Sequence, residues 1–468
     1  MVLLIEGAFL ALPCIVAVIY GEKSGFAFLT VMLVSLGAGF LLKWKKPSNT
    51  TFYAKEGFVI VALSWIVMSI VGAAPFVING DIPNYLDALF EMVSGFTTTG
   101  ASILTDVEAL SHCGLFWRSF AHWVGGMGVL VFVLTILPMN GSSVYLMKAE
   151  SPGPSVNKLV PRVKNTAMIL YGIYICLSVV EFAFLFFGGL PLFDALTMTF
   201  GTAGTGGFGI YNDSAASFSP YIKGVITVFM IIFGVNFNVF YLLMCKRVKD
   251  ALRSNELWAY LGIIAASIAI ITWDINRVIF VSVPEAFREA SFQVGSIITT
   301  TGFSTADFNM WPQLSKTILI GLMFIGACAG STGGGIKVSR ILILFKSMQK
   351  ELRTMIHPHD VIKIKLDGRV VEHSVVRSVN VFVVAYVLIF AMSLLLISFD
   401  ERDFVTNFSA VTATINNIGP GLELVGPAGN FSCFSGVSKL VLIFDMLAGR
   451  LELFPMLLLI SPGTWKKN

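Results

Sequence analysis

DALFEMVSGFTTTG (87–100) decides the fold, because the chain writes the same pattern four times. The other copies are DALTMTFGTAGTGG (194–207), EASFQVGSIITTTG (289–302) and TNFSAVTATINNIG (406–419). In each, Asp87, Asp194, Glu289 or Thr406 stands thirteen positions before a glycine, and the residues just ahead of that glycine are small or polar in nearly every case, Ile418 excepted. Each copy lies between long apolar stretches. The pattern reads as a short half-helix of about a dozen residues, too short to span hydrocarbon, followed by a glycine turn. The leading Asp, Glu or Thr suits a helix start, where an oxygen caps free N–H groups and an anion meets the positive end of the dipole. The carbonyl end then points to where a cation gains from that dipole. Non-helical backbone at membrane depth is tolerated only where protein buries it or water reaches it. Four re-entrant hairpins around one axis would build a ring of carbonyls for a dehydrated cation.

Composition agrees. The chain has 468 residues, 56% hydrophobic and only 13% charged, far from an ordinary soluble domain. Ten crossings are expected, near 1–20, 25–43, 57–78, 117–138, 163–188, 219–244, 257–281, 312–348, 372–399 and 435–460. The first lacks a basic n-region and carries Glu6, so residues 1–45 read as a retained transmembrane hairpin rather than a cleaved leader. The fold class is therefore an all-α polytopic membrane protein, with four helix–pore-loop–helix repeats around one pseudo-four-fold pore. The repeats are expected at 57–140, 160–246, 255–350 (with a broken second helix) and 370–462.

Charge sets the orientation. Loop 79–116 has five acids (Asp81, Asp87, Glu91, Asp106, Glu108) and no Lys or Arg, and loop 188–222 has Asp194 and Asp213 and no basic residue. Lys43, Lys45, Lys46 and Lys55 sit on the other side, as do Lys246, Arg247, Lys249, Arg253 and the basic segment 337–377. The positive-inside bias puts both termini in the cytoplasm and all four repeated segments outside. The net charge of +4 is an orientation signal, and no nucleic-acid motif is visible.

The expected cation-coordinating positions are Thr98, Thr99 and Gly100; Thr205, Gly206 and Gly207; Thr300, Thr301 and Gly302; and Asn417, Ile418 and Gly419. In the second loop Gly206 competes with Gly207 for the key place, and the thirteen-residue spacing favours Gly207. No carboxylate ring that would suit a divalent ion occupies these positions.

A second constellation, GACAGSTGGG (326–335), interrupts the expected helix 312–348. Five glycines in ten residues cannot hold a helix interior at about 1 kcal/mol each relative to alanine. A Walker loop is dismissed, since Ile336 separates Gly335 from Lys337. Arg450 is the third singular feature: inside the last crossing, such a charge faces a pore or a partner, pairs with Asp445 or Glu452, or reaches the interface. Lys439 reads as an interfacial anchor. Of the six cysteines, Cys113 and Cys433 both map to outer loops and could pair. Asn407, in a sequon, lies in a half-helix and so is inaccessible. Neither HExxH nor a Ser/His set suggests an enzyme.

SGFTTTGAS (94–102), FWR (116–118), HWVGGMG (122–128), TTTGFST (299–305), GACAGSTGGGIK (326–337), NNIGPGL (416–422) and GRLE (449–452), in this order, resemble the TrkH-type subunits of the Trk/Ktr/HKT superfamily of potassium transport proteins. The resemblance runs over essentially the whole length. It implies a potassium-selective filter at Gly100, Gly207, Gly302 and Gly419, with K+ as the transported ion and no organic cofactor. It also implies an intramembrane gate built from Gly326, Gly330, Ser331, Thr332, Gly333, Gly334 and Gly335, touched by Arg450. Sodium-conducting relatives carry a bulkier residue at the first glycine. The partners implied are a second copy of the chain, a cytosolic TrkA-type nucleotide-binding ring and the lipid of a bacterial inner membrane; the basic surface 346–365 suits docking to that ring and an anionic lipid surface equally well. An ion-coupled secondary transporter moving K+ with H+ or Na+, or a pore admitting Na+ as well, stays open.

Overall fold

A computed structural model describes residues 1–44, 54–128, 163–360 and 362–466. Helices α1 (Val2–Tyr20) and α2 (Gly25–Trp44) form the expected hairpin, turned at Gly21 in the left-handed region. A motif of long helix, short helix, turn and second helix then recurs. The first unit is α3 (Ala54–Asn79), α4 (Tyr85–Phe96) and α5 (His112–Gly126). The second is α6 (Val163–Phe187), α7 (Leu192–Ala203), α8 (Pro220–Phe233) and α9 (Phe237–Met244). The third is α10 (Asn255–Val278), α11 (Val283–Ile298), α12 (Gln313–Ile325) and α13 (Val338–Ile356). The fourth is α14 (His373–Ile397), α15 (Phe404–Ile415), α16 (Gly436–Arg450) and α17 (Phe454–Ile460). A two-stranded ribbon, Lys365–Leu366 with Arg369–Val370, adds a small β element between α13 and α14.

The units pack in a cycle. Helix α5 lies on α7, α8 on α11, α12 on α15, and α16 returns to α4. The largest apolar cluster joins the hairpin to the first and fourth units through Leu10, Phe28, Trp65, Phe96, Trp117 and Leu442. Outward, residues such as Val18, Phe187, Leu388 and Leu395 are exposed, an apolar surface that hydrocarbon rather than water would cover.

Among the described residues, six helices are long and apolar enough to cross a membrane, or seven if the bent pair α8–α9 is one span. The remaining expected crossings are assembled from shorter pieces, and 117–138 runs partly outside the described residues. Crossing 219–244 is not one helix: α8 and α9 meet at 89°. Gly234 packs where a Cβ would come within 2.3 Å of the Tyr260 hydroxyl, and the Asn236 side chain accepts from Asn238 N at 2.9 Å to start α9. Crossing 435–460 is likewise interrupted. Glu452 and Leu453 take positive φ, and Pro455 opens α17, where its missing N–H costs nothing.

The helix starts also differ from expectation. The N-caps are Asn84, Pro191, Ser282 and Asp403, not Asp87, Asp194, Glu289 and Thr406. Asp87 and Asp194 sit in the first turn, where the dipole still favours them. Glu289 falls deeper because α11 runs to 16 residues from a start beside Pro284.

Candidate functional site

The four short helices end in the same way, bond for bond. At Thr97, Gly204, Thr299 and Asn416 the chain is still right-handed. The next residues, Thr98, Thr205, Thr300 and Asn417, take φ of 56°, 53°, 59° and 56°. The residues after them donate back five positions into their helices: Thr99 N to Ser94 O (2.9 Å), Gly206 N to Gly201 O (2.9 Å), Thr301 N to Ser296 O (2.8 Å) and Ile418 N to Ala413 O (2.9 Å). This left-handed cap closes the last turn and releases the chain outward. Three threonines and an asparagine hold a conformation that glycine would take without strain.

The glycines follow with φ of 79°, 78°, 87° and 97° at Gly100, Gly207, Gly302 and Gly419. Gly206 is not among the positive-φ residues, so Gly207 is the geometric counterpart of the other three. A Cβ on Gly100 would stand 2.0 Å from Gly206 O, on Gly207 2.0 Å from Thr301 O, on Gly302 2.0 Å from Ile418 O, and on Gly419 2.8 Å from Thr99 O. Each glycine thus faces the carbonyl preceding the next glycine, and the fourth faces the first. A cavity of about 140 Å³ opens beyond them, lined by all four glycines with Ser102, Ser304 and Arg118.

Side chains tie these turns together. Glu91, fully buried, accepts from Arg118 Nε at 2.8 Å and Nη2 at 2.7 Å. It also accepts from Ser102 Oγ and from Ile103 N at 3.0 Å. Arg118 lies over the Phe208 ring and donates to Gly209 O, linking the first loop to the second. Glu91 is therefore a paired structural carboxylate, not a free acid of the outer loop. Buried His122 contacts Gly95 O through Nδ1 (2.7 Å) and accepts from Phe208 N through Nε2 (3.1 Å); accepting at Nε2 leaves Nδ1 as the protonated nitrogen. Asn417 donates to Thr99 Oγ1 and to Met446 O, both at 2.9 Å. The FWR and HWVGG stretches contain Arg118 and His122, but nothing in their spacing shows which loops they join.

On the other side of the turns, α12 stops at Ile325 and α13 begins at Val338. The segment between presses against the inner ends of the third and fourth short helices. Gly334 N donates to Thr300 Oγ1 at 2.6 Å and Gly335 N to Asn416 O at 3.1 Å. A Cβ on Gly334 would lie 2.3 Å from Asn416 O, which is why glycine stands there. Gly326, Gly330 and Gly335 have positive φ, as does Lys337, whose ammonium donates to Gly333 O. Thr332 donates to Phe233 O at 3.3 Å and Ser331 to Cys328 O at 2.6 Å. Arg450, at the end of α16, donates to Thr332 O and Gly126 O, each at 2.8 Å, and to Gly125 O. These carbonyls answer the cost of holding a guanidinium there. Glu452 pairs instead with Arg340, and Asp445 accepts from Ser393 at 2.7 Å. A second cavity of about 80 Å³ is lined by Gly330, Gly333, Lys337, Arg340 and Arg450, among others.

One open pairing is answered and one smaller expectation is overturned. Cys113 and Cys433 are both free thiols; Cys113 donates to Ser24 Oγ at 3.1 Å. Lys439 is buried and pairs with Asp87 at 2.5 Å, so it fastens α16 to α4 rather than anchoring at an interface. Asn407 is buried, as expected of a residue inside a short helix.

Long apolar helices arranged as four cyclically packed units, with two cavities separated by hydrogen-bonded turns, define a multi-pass membrane protein of the transport class. A family model described as TrkH, cation transport protein, matches residues 24–262 and 256–466. The Trk system potassium uptake protein TrkH of Salmonella typhimurium is 40% identical over 477 residues, covering 100% of this chain and 98% of its own. The TrkG protein of Escherichia coli is 32% identical, covering 97% of this chain and 94% of its own. The crystal structure of the potassium transporter TrkH from Vibrio parahaemolyticus superposes with a TM-score of 0.88 at 33% identity, over 99% of this chain and 97% of that one. The chain belongs to the TrkH family of cation transport proteins, a family of transporters and not of enzymes.

Proposed function

We propose that this chain is the translocating subunit of a potassium uptake system of a bacterial inner membrane, with both termini in the cytoplasm. The four glycine turns form its selectivity filter, Thr98–Gly100, Thr205–Gly207, Thr300–Gly302 and Asn417–Gly419 supplying the oxygens. Segment 326–335 with Arg450 forms its gate. The observation that carries this reading is the cyclic approach of each glycine to the carbonyl before the next. Neutral carbonyls held by four matched caps can replace the hydration shell of an ion that sheds water readily, and they offer no carboxylate to a divalent ion. Two named relatives, the TrkH and TrkG proteins cited above, are potassium uptake proteins, which supports potassium as the cargo. The loop and Arg450 stand directly below that ring, where a fixed positive charge sets a barrier to cations. A homodimer working on a cytosolic nucleotide-binding ring of the TrkA type is the assembly we assign to it, with the basic surface 346–365 as the docking face.

The test is potassium and sodium flux through purified protein in vesicles. Gly100→Ser forces a side chain against Gly206 O and should lower the potassium-over-sodium permeability ratio several-fold. A ratio equal to that of the unaltered protein would remove the filter assignment.

A further inference from the structure

Glu256, in the first turn of α10, is buried, and nothing in the transport path as described uses it. Its Oε1 accepts from the backbone N–H of Ala329 at 2.7 Å and from that of Ser339 at 3.1 Å. Ala329 lies in the first limb of the segment, just after α12, and Ser339 lies in the first turn of α13, where the chain resumes. One carboxylate oxygen therefore holds both limbs of the excursion. Lys337, the N-cap of α13, makes no side-chain capping bond, and Glu256 supplies that cap from another helix. The opposite oxygen accepts from Asn236 Nδ2 at 3.4 Å, and Asn236 caps α9 at the 89° break of the second unit.

That break is mated to the segment along its length. Cys328 N donates to Gly234 O at 3.1 Å, and Phe237 N donates to Gly330 O at 3.0 Å. The two interrupted helices thus satisfy each other's free backbone groups, and Glu256 stands where they join. Buried N–H groups left without an acceptor are costly, and an ionised acceptor makes a stronger bond than a neutral one. We propose that Glu256 is a positioning residue, a carboxylate clamp that seats segment 326–337 against the break at Gly234–Asn236 and thereby holds the segment under the four glycine turns. The flux arm of the test rests on the gate reading above; the thiol arm does not.

Cys328, within the segment, and Cys113, far from it at the start of α5, are both fully buried. With Cys14, Cys176, Cys245 and Cys433 replaced by serine, these two thiols report on seating and on general packing. The rate of their modification by a small charged methanethiosulfonate is read by peptide mass spectrometry on purified, reconstituted full-length protein. Glu256→Ala should raise the rate at Cys328 at least tenfold and leave Cys113 protected. Glu256→Gln keeps one acceptor oxygen for Ala329 and Ser339 and should fall between the two. Potassium flux should rise several-fold with the potassium-to-sodium ratio unchanged. Protection of Cys328 equal to the parent, or an equal rise at both thiols, overturns the clamp. A rise confined to Cys328 with no change in flux upholds the clamp and counts instead against the gate reading. Should Glu256→Ala not fold, Glu256→Gln carries the test, and parental protection of Cys328 in it overturns the proposal.

Discussion

Arg118 and Glu91 are costly residues to place, and their surroundings explain how they are held. Both are buried, so each would lose its hydration for nothing without the two guanidinium contacts to Glu91 Oε1 and the extra donors Ser102 and Ile103. Removing one partner of such a pair strands the other; Arg118→Leu should cost about 3–5 kcal/mol, read as a fall in melting temperature in detergent. A double replacement of Glu91 and Arg118 by apolar residues of similar volume should recover much of that loss. Thr98, Thr205, Thr300 and Asn417 carry a different cost, since each left-handed non-glycine residue holds about 1–3 kcal/mol of strain. Their polar side chains are not interchangeable: Asn417 reaches Thr99 and Met446 O, whereas Thr300 accepts from Gly334 N.

At the scale of elements, what matters is how one helix end meets another. Segment 326–337 is held closely by hydrogen bonds, and Gly334 allows that approach. Gly334→Ala would drive a methyl into Asn416 O and lift the segment off the turns. On the gate reading, potassium flux in vesicles should then rise several-fold while the permeability ratio stays put. The junction between the α1–α2 hairpin and α5 depends on Glu22, which accepts from His112 N (2.7 Å), His112 Nδ1 (2.8 Å) and Cys113 N (3.1 Å). Partial burial pushes its carboxyl up, but the hydrogen bonds from His112 and Cys113 outweigh this and hold it below the ordinary glutamate range. The contribution is therefore complete above the unfolded value near ~4.3 and is lost as pH falls through the folded value. Melting temperature should hold down to about pH 4.3 and fall below it, and Glu22→Gln should flatten that dependence.

For the molecule as a whole, the absence of a Cys113–Cys433 bridge predicts that reductant leaves melting temperature and flux unchanged. The large features were legible in the sequence: four copies of one spacing, the hairpin ahead of them and the glycine-rich interruption. Backbone demands mark a chain strongly, because few residues tolerate positive φ or a carbonyl at 2 Å. The spacing even favoured Gly207 over Gly206, as the φ values do. Tertiary partners were not legible. Lys439 reads as an interfacial anchor because Asp87 is 352 positions away, and nothing in the sequence ties Glu256 to segment 326–337. The helix caps were misplaced because α4, α7 and α15 start two residues before the acid or threonine that carries the spacing, a difference that apolar periodicity does not resolve.

The matched turns occur once each in a single polypeptide. In an assembly of four identical subunits, one codon change would alter every corner of such a ring at once. Here it alters a quarter and leaves three corners as they were. The corners have accordingly diverged: threonine-rich in the first and third, glycine-rich in the second, asparagine and isoleucine in the fourth. On the filter reading proposed above, a cation at the centre would meet an uneven field, and discrimination between ions could be adjusted in steps finer than any symmetric tetramer allows.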